Sequence, residues 1–413
     1  MSSPAAPLAS ALLRLRFVGA VLLLAVTAAA VGAQPSGQAR GTLVIAGGAL
    51  RPETAEVWTR IVALAGGRGA AIAVFGSASE DPRGSAGDTI ATLARYGARA
   101  YFVPVATRLA GSDYRRAAAD PRNVALVTRA RGVYFTGGDQ GRITQALVEA
   151  AGHRTPVLDA IWQVYRRGGV IAGSSAGAAI MSTTMFHEPA GIFDLLTDGV
   201  RPGSDIAAGL GFIGPRLFVD QHVLARGRFA RMLPAMLASG YRFGLGIDEN
   251  TAAVVKGDGQ VEIVGRSGAV LLDLGAVAPG ATTRPLRLAG ARVSLLGPGD
   301  VYDPSSQRVT PAARRRAVDP AQAASATPSA ATRDILGRDA LVDVLVALVA
   351  GSAQDVHGVA SDPGASRRPG FTFRFSRSDA TRAFHADEAA LHGYTILDVG
   401  LDVVGAEGPA ATR

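Results

Sequence analysis

Gly169-Val170-Ile171-Ala172-Gly173-Ser174-Ser175-Ala176-Gly177-Ala178-Ala179-Ile180-Met181 reads as a short apolar strand, a tight turn and the start of an alanine-rich helix. A strand that is apolar at successive positions has no solvated face, so it belongs in a parallel sheet covered on both sides. The turn contains G-x-S-x-G at Gly173 to Gly177. A nucleophile elbow needs that spacing: the serine backbone is strained, and flanking glycines let strand and helix approach without Cβ clashes. The helix start also favours negative charge developing nearby. The structural alternative is a turn in which the serine only caps the helix.

Around this stretch, Val- and Ile-rich runs recur at Thr42 to Ala46, Ala71 to Phe75, Ala100 to Val105, Gly132 to Phe135 and Val170 to Ala172. Helical stretches such as Thr54 to Ala65 and Asp159 to Arg167 lie between them. The alternation predicts an α/β fold, a doubly wound three-layer sandwich with a mostly parallel sheet, over residues 41–300. Working residues in such sheets collect after the carboxyl ends of strands. Here those places are Gly47-Gly48-Ala49, Ser77-Ala78-Ser79, Thr136-Gly137-Gly138-Asp139-Gln140 and Gly173-Ser174-Ser175. From Thr251 to Leu296, alternating strands with the turn Gly257-Asp258-Gly259 predict an antiparallel extension of the same domain. Residues 301–333, rich in Pro, Ala, Ser and Gln and carrying Arg314-Arg315-Arg316, read as a linker. Residues 334–413 read as a small α+β C-terminal domain, with a helix from Asp334 to Ala350 and strands at Phe371 to Phe375 and Tyr394 to Val404.

Composition narrows the function classes. With 413 residues, 48% of them hydrophobic, the chain can bury a large core. Arg14 and Arg16 precede an apolar run from Phe17 to Val31, and Val31-Gly32-Ala33 offers small residues for cleavage. Residues 1–33 therefore read as a secretory signal peptide, which makes the protein secreted or periplasmic. The run falls short of the roughly 20 residues a membrane helix needs, so no stable membrane span is expected. There is no cysteine, which excludes disulfides, thiol nucleophiles and thiolate metal sites. The net charge of +8 comes almost wholly from scattered arginine, Lys256 being the only lysine. With aromatics at 6%, no nucleic-acid partner is expected. Composition leaves a homodimer open.

A serine nucleophile needs a base, and the histidines are six: His153, His187, His222, His357, His385 and His392. The last three lie in the tail, and His153 lies in a glycine-containing loop before the serine. His222 ends the apolar run Leu217-Phe218-Val219, framed by Asp220 and Gln221, and is the best base; the alternative is a satisfied structural histidine. A chain order of Ser, acid, His places the orienting carboxylate between positions 175 and 222. Glu188, Asp194, Asp198 and Asp205 all qualify by position, and spacing does not choose among them.

Tyr134-Phe135-Thr136-Gly137-Gly138-Asp139-Gln140, Gly173 to Ala179, Asp220-Gln221-His222 and Gly246-Ile247-Asp248-Glu249-Asn250-Thr251 together resemble the cyanophycinase family, which belongs with peptidase E. The resemblance runs from about Gly41 to Gly299 and leaves out the signal, linker and tail. It implies a sandwich related to class I glutamine amidotransferases, with serine in place of their cysteine. It also implies hydrolysis of cyanophycin, multi-L-arginyl-poly-L-aspartate, to β-aspartyl-arginine dipeptides, and no metal or cofactor. By position Ser175 would be the nucleophile and His222 the base. Asp194 matches the family's usual glutamate as acid, with Glu188 the runner-up. Amides of Gly138 and Ala176 would hold the oxyanion. Gln140, Asp220, Gln221, Arg226, Arg228 and Arg231 fall on positions used around the substrate, where a guanidinium can grip a carboxylate through two parallel hydrogen bonds. For the arginines the bland alternative is a solvated helix face. The rival functions are a peptidase E-like α-aspartyl dipeptidase and a catalytically silent exported binding protein.

Overall fold

The computed structural model describes residues 41–278, 284–318, 331–332, 334–361, 370–386 and 393–405; the expected signal peptide and His392 lie outside them. Five strands, β1 (Thr42–Ala46), β2 (Ala71–Phe75), β3 (Arg99–Phe102), β4 (Gly132–Phe135) and β5 (Val170–Ser174), pair in parallel in the order β1-β5-β4-β2-β3. Their apolar runs need cover on both faces, and successive residues point to opposite sides. On one face the helices Ala55–Leu64 and Pro82–Arg95 bury Trp58, Ile61 and Leu93 against Val44, Val74 and Ala172. On the other, the helices Gln140–Leu147 and Pro156–Arg166 bury Ile143, Leu147 and Ile161 against Ile45, Phe135 and Ile171. Asp139 and Thr155 start these two helices, each side chain accepting from a first-turn amide.

After a short antiparallel pair, β6 (Thr184–Phe186) and β7 (Ile206–Ala208), a second sheet opens with the parallel strands β8 (Leu217–Gln221) and β9 (Phe243–Ile247). The chain then crosses back: β10 (Thr251–Val255) pairs antiparallel with β1, and β11 (Val261–Gly265) pairs with β10. It crosses again to β12 (Ala269–Asp273) and β13 (Arg287–Leu296) in the second sheet. β14 (Val301–Asp303) and β15 (Arg308–Thr310) finish the edge of the first. The stretch read as one antiparallel extension is therefore shared between two sheets.

The tail does not form a separate domain, and this corrects the expected organisation. β16 (Arg316–Ala317), β17 (Ala331–Thr332), β18 (Asp355–Ala360), β19 (Phe371–Ser376), β20 (Arg382–His385) and β21 (Tyr394–Gly405) all join the second sheet, where β21 lies alongside β13. The described residues cluster as one compact unit. The reason is the shared core: the helix Ala340–Ala350 buries Leu341, Leu345 and Leu348, and Phe373 packs edge-on against Phe229 of the helix Phe229–Ser239 at 5.7 Å. Among the described residues no helix is long and apolar enough to cross a membrane.

Residues 301–318 of the expected linker are likewise built into the two sheets, as β14, β15 and β16. Arg315, expected in the linker, has a fully buried side chain, its Nη1 donating to Asp300 Oδ2 at 2.8 Å. Asp300 also accepts from the amides of Gly297 and Ala312 at 2.8 and 2.9 Å and from Thr395 Oγ1 at 2.6 Å. One carboxylate thus ties the tail strand β21 to the end of β13. Removing it leaves a buried guanidinium uncompensated, so Asp300→Ala should lower unfolding free energy by about 3–5 kcal/mol in a denaturant titration. A loss below about 1 kcal/mol would place that junction elsewhere.

Candidate active site

Ser175 stands between the end of β5 and the helix Ala176–Ala179, with φ 55° and ψ −110°. A non-glycine residue held there costs about 1–3 kcal/mol, so the surrounding packing has to impose it. The flanking glycines show how. A Cβ on Gly173 would lie 2.2 Å from the Gly177 carbonyl oxygen, and one on Gly177 would lie 2.4 Å from that of Phe135. Strand, helix and the neighbouring strand β4 are therefore in backbone contact around the serine.

Three successive carbonyls at the end of β1 organise the rest. Ala46 O accepts from Ser175 N at 3.0 Å, Gly47 O from His222 N at 2.8 Å, and Gly48 O from Asn250 N at 3.0 Å. All three donor residues have positive φ, 55°, 54° and 54°. The consequence is a chain of side chains: Ser175 Oγ lies 2.9 Å from His222 Nε2, and His222 Nδ1 lies 2.7 Å from Glu249 Oε1. Gly48 has no room for a side chain, since a Cβ there would lie 2.2 Å from His222 Cε1. Asp248 fixes the loop after His222 by accepting from the amides of Leu224 and Ala225 at 3.1 and 2.9 Å, and its other oxygen accepts from Ser267 Oγ at 2.7 Å.

Burial, the largest influence, holds the His222 imidazole below its usual value; Glu249 opposes this, while the charges of Arg226 and Arg228 add to it. Burial alone would raise the Glu249 carboxyl. The hydrogen bond and charge of His222, with Arg338 and Arg226, outweigh it and hold the group below the usual carboxylate range. Glu249 is thus an anion and His222 a neutral ring near neutral pH, with Nδ1–H donating to Glu249 and Nε2 free to accept from Ser175.

This arrangement corrects the expected acid. Neither Asp194 nor Glu188 holds the imidazole, because Ser175 and Glu249 occupy both ring nitrogens. Asp194 sits in the first turn of the helix Ile192–Asp198, and Glu188 is exposed after β6. Asp205 is held down to about 2 by Arg201 and serves the loop between β6 and β7. Glu249 lies after His222 in the chain, outside the interval searched. The signal was nonetheless present, as an apolar strand ending in Asp248-Glu249-Asn250.

The other expected site residues separate by burial. Arg231 and Asp220 are buried as a bidentate pair at 2.7 Å for both bonds, the guanidinium also lying 4.1 Å from the Phe186 ring centroid. Their polar atoms serve each other. Arg228 donates to Gln221 Oε1 at 2.6 Å and is lowered to about 10 by burial and then by Arg231, so it stays charged at neutral pH. Arg226 is exposed. Gln140 donates from Nε2 to Phe186 O at 2.9 Å. Gly138 stands at the Ala78 carbonyl, while its neighbour Gly137 packs on Ser175, where a Cβ would lie 3.3 Å from the serine Cβ. Ala176 follows Ser175 directly and is buried.

One contributor had no sequence signal. The segment before the helix Ala340–Ala350 docks on the arginine loop: Asp339 N donates to Leu224 O at 3.1 Å, and a Cβ on Gly227 would lie 2.3 Å from Leu336 O. It brings Arg338 Nη2 to 3.8 Å from Glu249 Oε2.

Residues 114–263 match the model of peptidase family S51. A cyanophycinase of Geminocystis herdmanii is 33% identical over 273 residues, 63% of this chain and 92% of that protein. The chain belongs to the cyanophycinase family. It is accordingly a serine-type peptidase, a hydrolase. A cyanophycinase from a Nostoc species is 31% identical over 68% of this chain and 91% of its own. The crystal structure of a peptidase from an acI-B1 Actinobacterium is similar with a TM-score of 0.46 and 22% identity, covering 65% of this chain and 98% of that one.

The electrostatics can be read directly by NMR. His222 should titrate below 6.5, and in Glu249→Gln it should titrate lower still, because the carboxylate that raised it is gone. An unchanged or higher value in the variant would mean that Glu249 does not face the ring.

Proposed function

We propose that this hydrolase is exported and cleaves cyanophycin at β-aspartyl bonds, releasing β-aspartyl-arginine dipeptides. The observation that carries the reading is the Ser175–His222–Glu249 chain of contacts, beside a loop that presents Arg226 and Arg228. An arginine branch of this polymer carries a free carboxylate, which a guanidinium can hold. The elbow serine at the end of a strand of a helix-covered parallel sheet also supports a sandwich of the class I glutamine amidotransferase kind.

In the proposed reaction Ser175 Oγ attacks the β-carbonyl carbon while His222 Nε2 takes its proton. Glu249 stabilises the imidazolium and holds the tautomer. Amides of Ala176 and Gly138 donate to the oxyanion, each such donor being worth about 3 kcal/mol. As the tetrahedral intermediate collapses, the carbon–nitrogen bond breaks and His222 gives its proton to the leaving nitrogen. Water, deprotonated by His222, then attacks the acyl-serine; Ser175 leaves with the proton, and the aspartyl side chain is freed as a carboxylate.

Purified protein should hydrolyse insoluble cyanophycin, and Ser175→Ala should lose at least about 10³-fold in kcat. kcat/KM should fall on the acid side with an apparent pKa below 6.5, since the depressed His222 must be neutral to act. Faster turnover of α-aspartyl dipeptides than of the polymer would transfer the assignment to a peptidase E-like dipeptidase.

A further inference from the structure

The residues that follow the Gly137–Gly138 turn open a groove the proposed reaction does not use. Its volume is about 1100 Å³, and it runs between the helix Gln140–Leu147 and the β6–β7 pair. Sites for single small ligands reach about 1,000 Å³. Asp139, which lines its wall, is two residues past Gly137, and Gly137 packs on Ser175.

Its lining carries both signs, Arg108, Arg142 and Arg154 with Asp139 and Glu188. Asp139 accepts from Gly141 N at 2.7 Å and has Arg142 Nε 3.5 Å away, which fixes its carboxylate. Across the groove Glu188 is exposed, with no side-chain partner among the described residues. Arg154 lies over Trp162, 4.5 Å from the ring centroid, with Asp159 3.9 Å from its Nη1, and 40% of its side chain remains exposed. Two polar atoms of lining residues, Thr107 Oγ1 and His187 Nδ1, are shielded from solvent without a hydrogen-bond partner among the described residues. Leaving such atoms unpaired costs about 1–3 kcal/mol each.

We infer that this groove is a second substrate subsite, which takes the zwitterionic branch of a neighbouring, uncleaved arginyl-aspartyl unit. Its carboxylate meets Arg154 and its guanidinium meets Glu188 and Asp139. A neutral peptide would leave Glu188 unanswered, whereas a branch bearing one group of each sign meets it with its guanidinium and offers its carboxylate to Arg154. The inference rests on the polymer reading of the reaction, and it adds that binding strengthens with chain length.

The test is binding to Ser175→Ala protein, so that nothing is cleaved, using soluble oligomers of two and of four arginyl-aspartyl units. Affinity should rise at least fivefold from two units to four. In the Glu188→Arg and Arg154→Glu backgrounds the gain should shrink below twofold. Two-unit and four-unit oligomers binding equally, or a gain that survives both charge reversals, would overturn the subsite while leaving the polymer reading intact. If neither oligomer binds, the polymer reading fails and the subsite falls with it.

Discussion

Ser175 ends a strand of one sheet and His222 ends a strand of another, so their 2.9 Å contact exists only if the two sheets are locked together at that point. The lock is the last turn of β1. Its carbonyls at Ala46, Gly47 and Gly48 accept in order from the residues that carry the serine, the histidine and the neighbour of the glutamate. Each donor residue is held at a positive φ that is uncommon for a residue with a side chain. Strain of this kind persists where packing over-determines the backbone, and here it aims three side chains at one line.

The chain builds this junction by crossing between sheets at Asp248–Asn250, from β9 to β10, and the crossing residues are themselves the site. Asp248 holds the histidine loop, Glu249 holds the histidine, and Asn250 Oδ1 accepts from Arg51 N at 2.9 Å and Thr54 Oγ1 at 3.0 Å beyond β1. The tail closes the arrangement from outside, with Leu336 against Gly227 and Arg338 near Glu249. It is therefore part of the catalytic body.

The first sheet was legible because β1, β2, β4 and β5 are apolar runs whose burial on both faces leaves no other solution. The second was not, because its partners are set by packing across great sequence distance. β13 finds β21 more than a hundred residues on, and nothing local in either run names the other. Arg315 makes the same point, since its run of arginines reads as linker until Asp300 and Thr395 are brought to it. In the site, Ser175 carried a local backbone signature and His222 stood out by scarcity. Glu249 escaped a search guided by chain order, although an acid is chosen by geometry and not by order. Arg226, Arg228 and Arg231 look alike in sequence, and only the fold separates the exposed one from the one paired inside with Asp220.

The central claim is that β1 assembles Ser175, His222 and Glu249 into one activated unit. Labelling with a fluorophosphonate, followed by peptide mapping, tests it most directly. The account predicts a single adduct on Ser175, formed at least about 100-fold more slowly in Glu249→Gln and at an unchanged rate in Asp194→Asn. An adduct on another residue, or a rate that falls in Asp194→Asn and holds in Glu249→Gln, would contradict it.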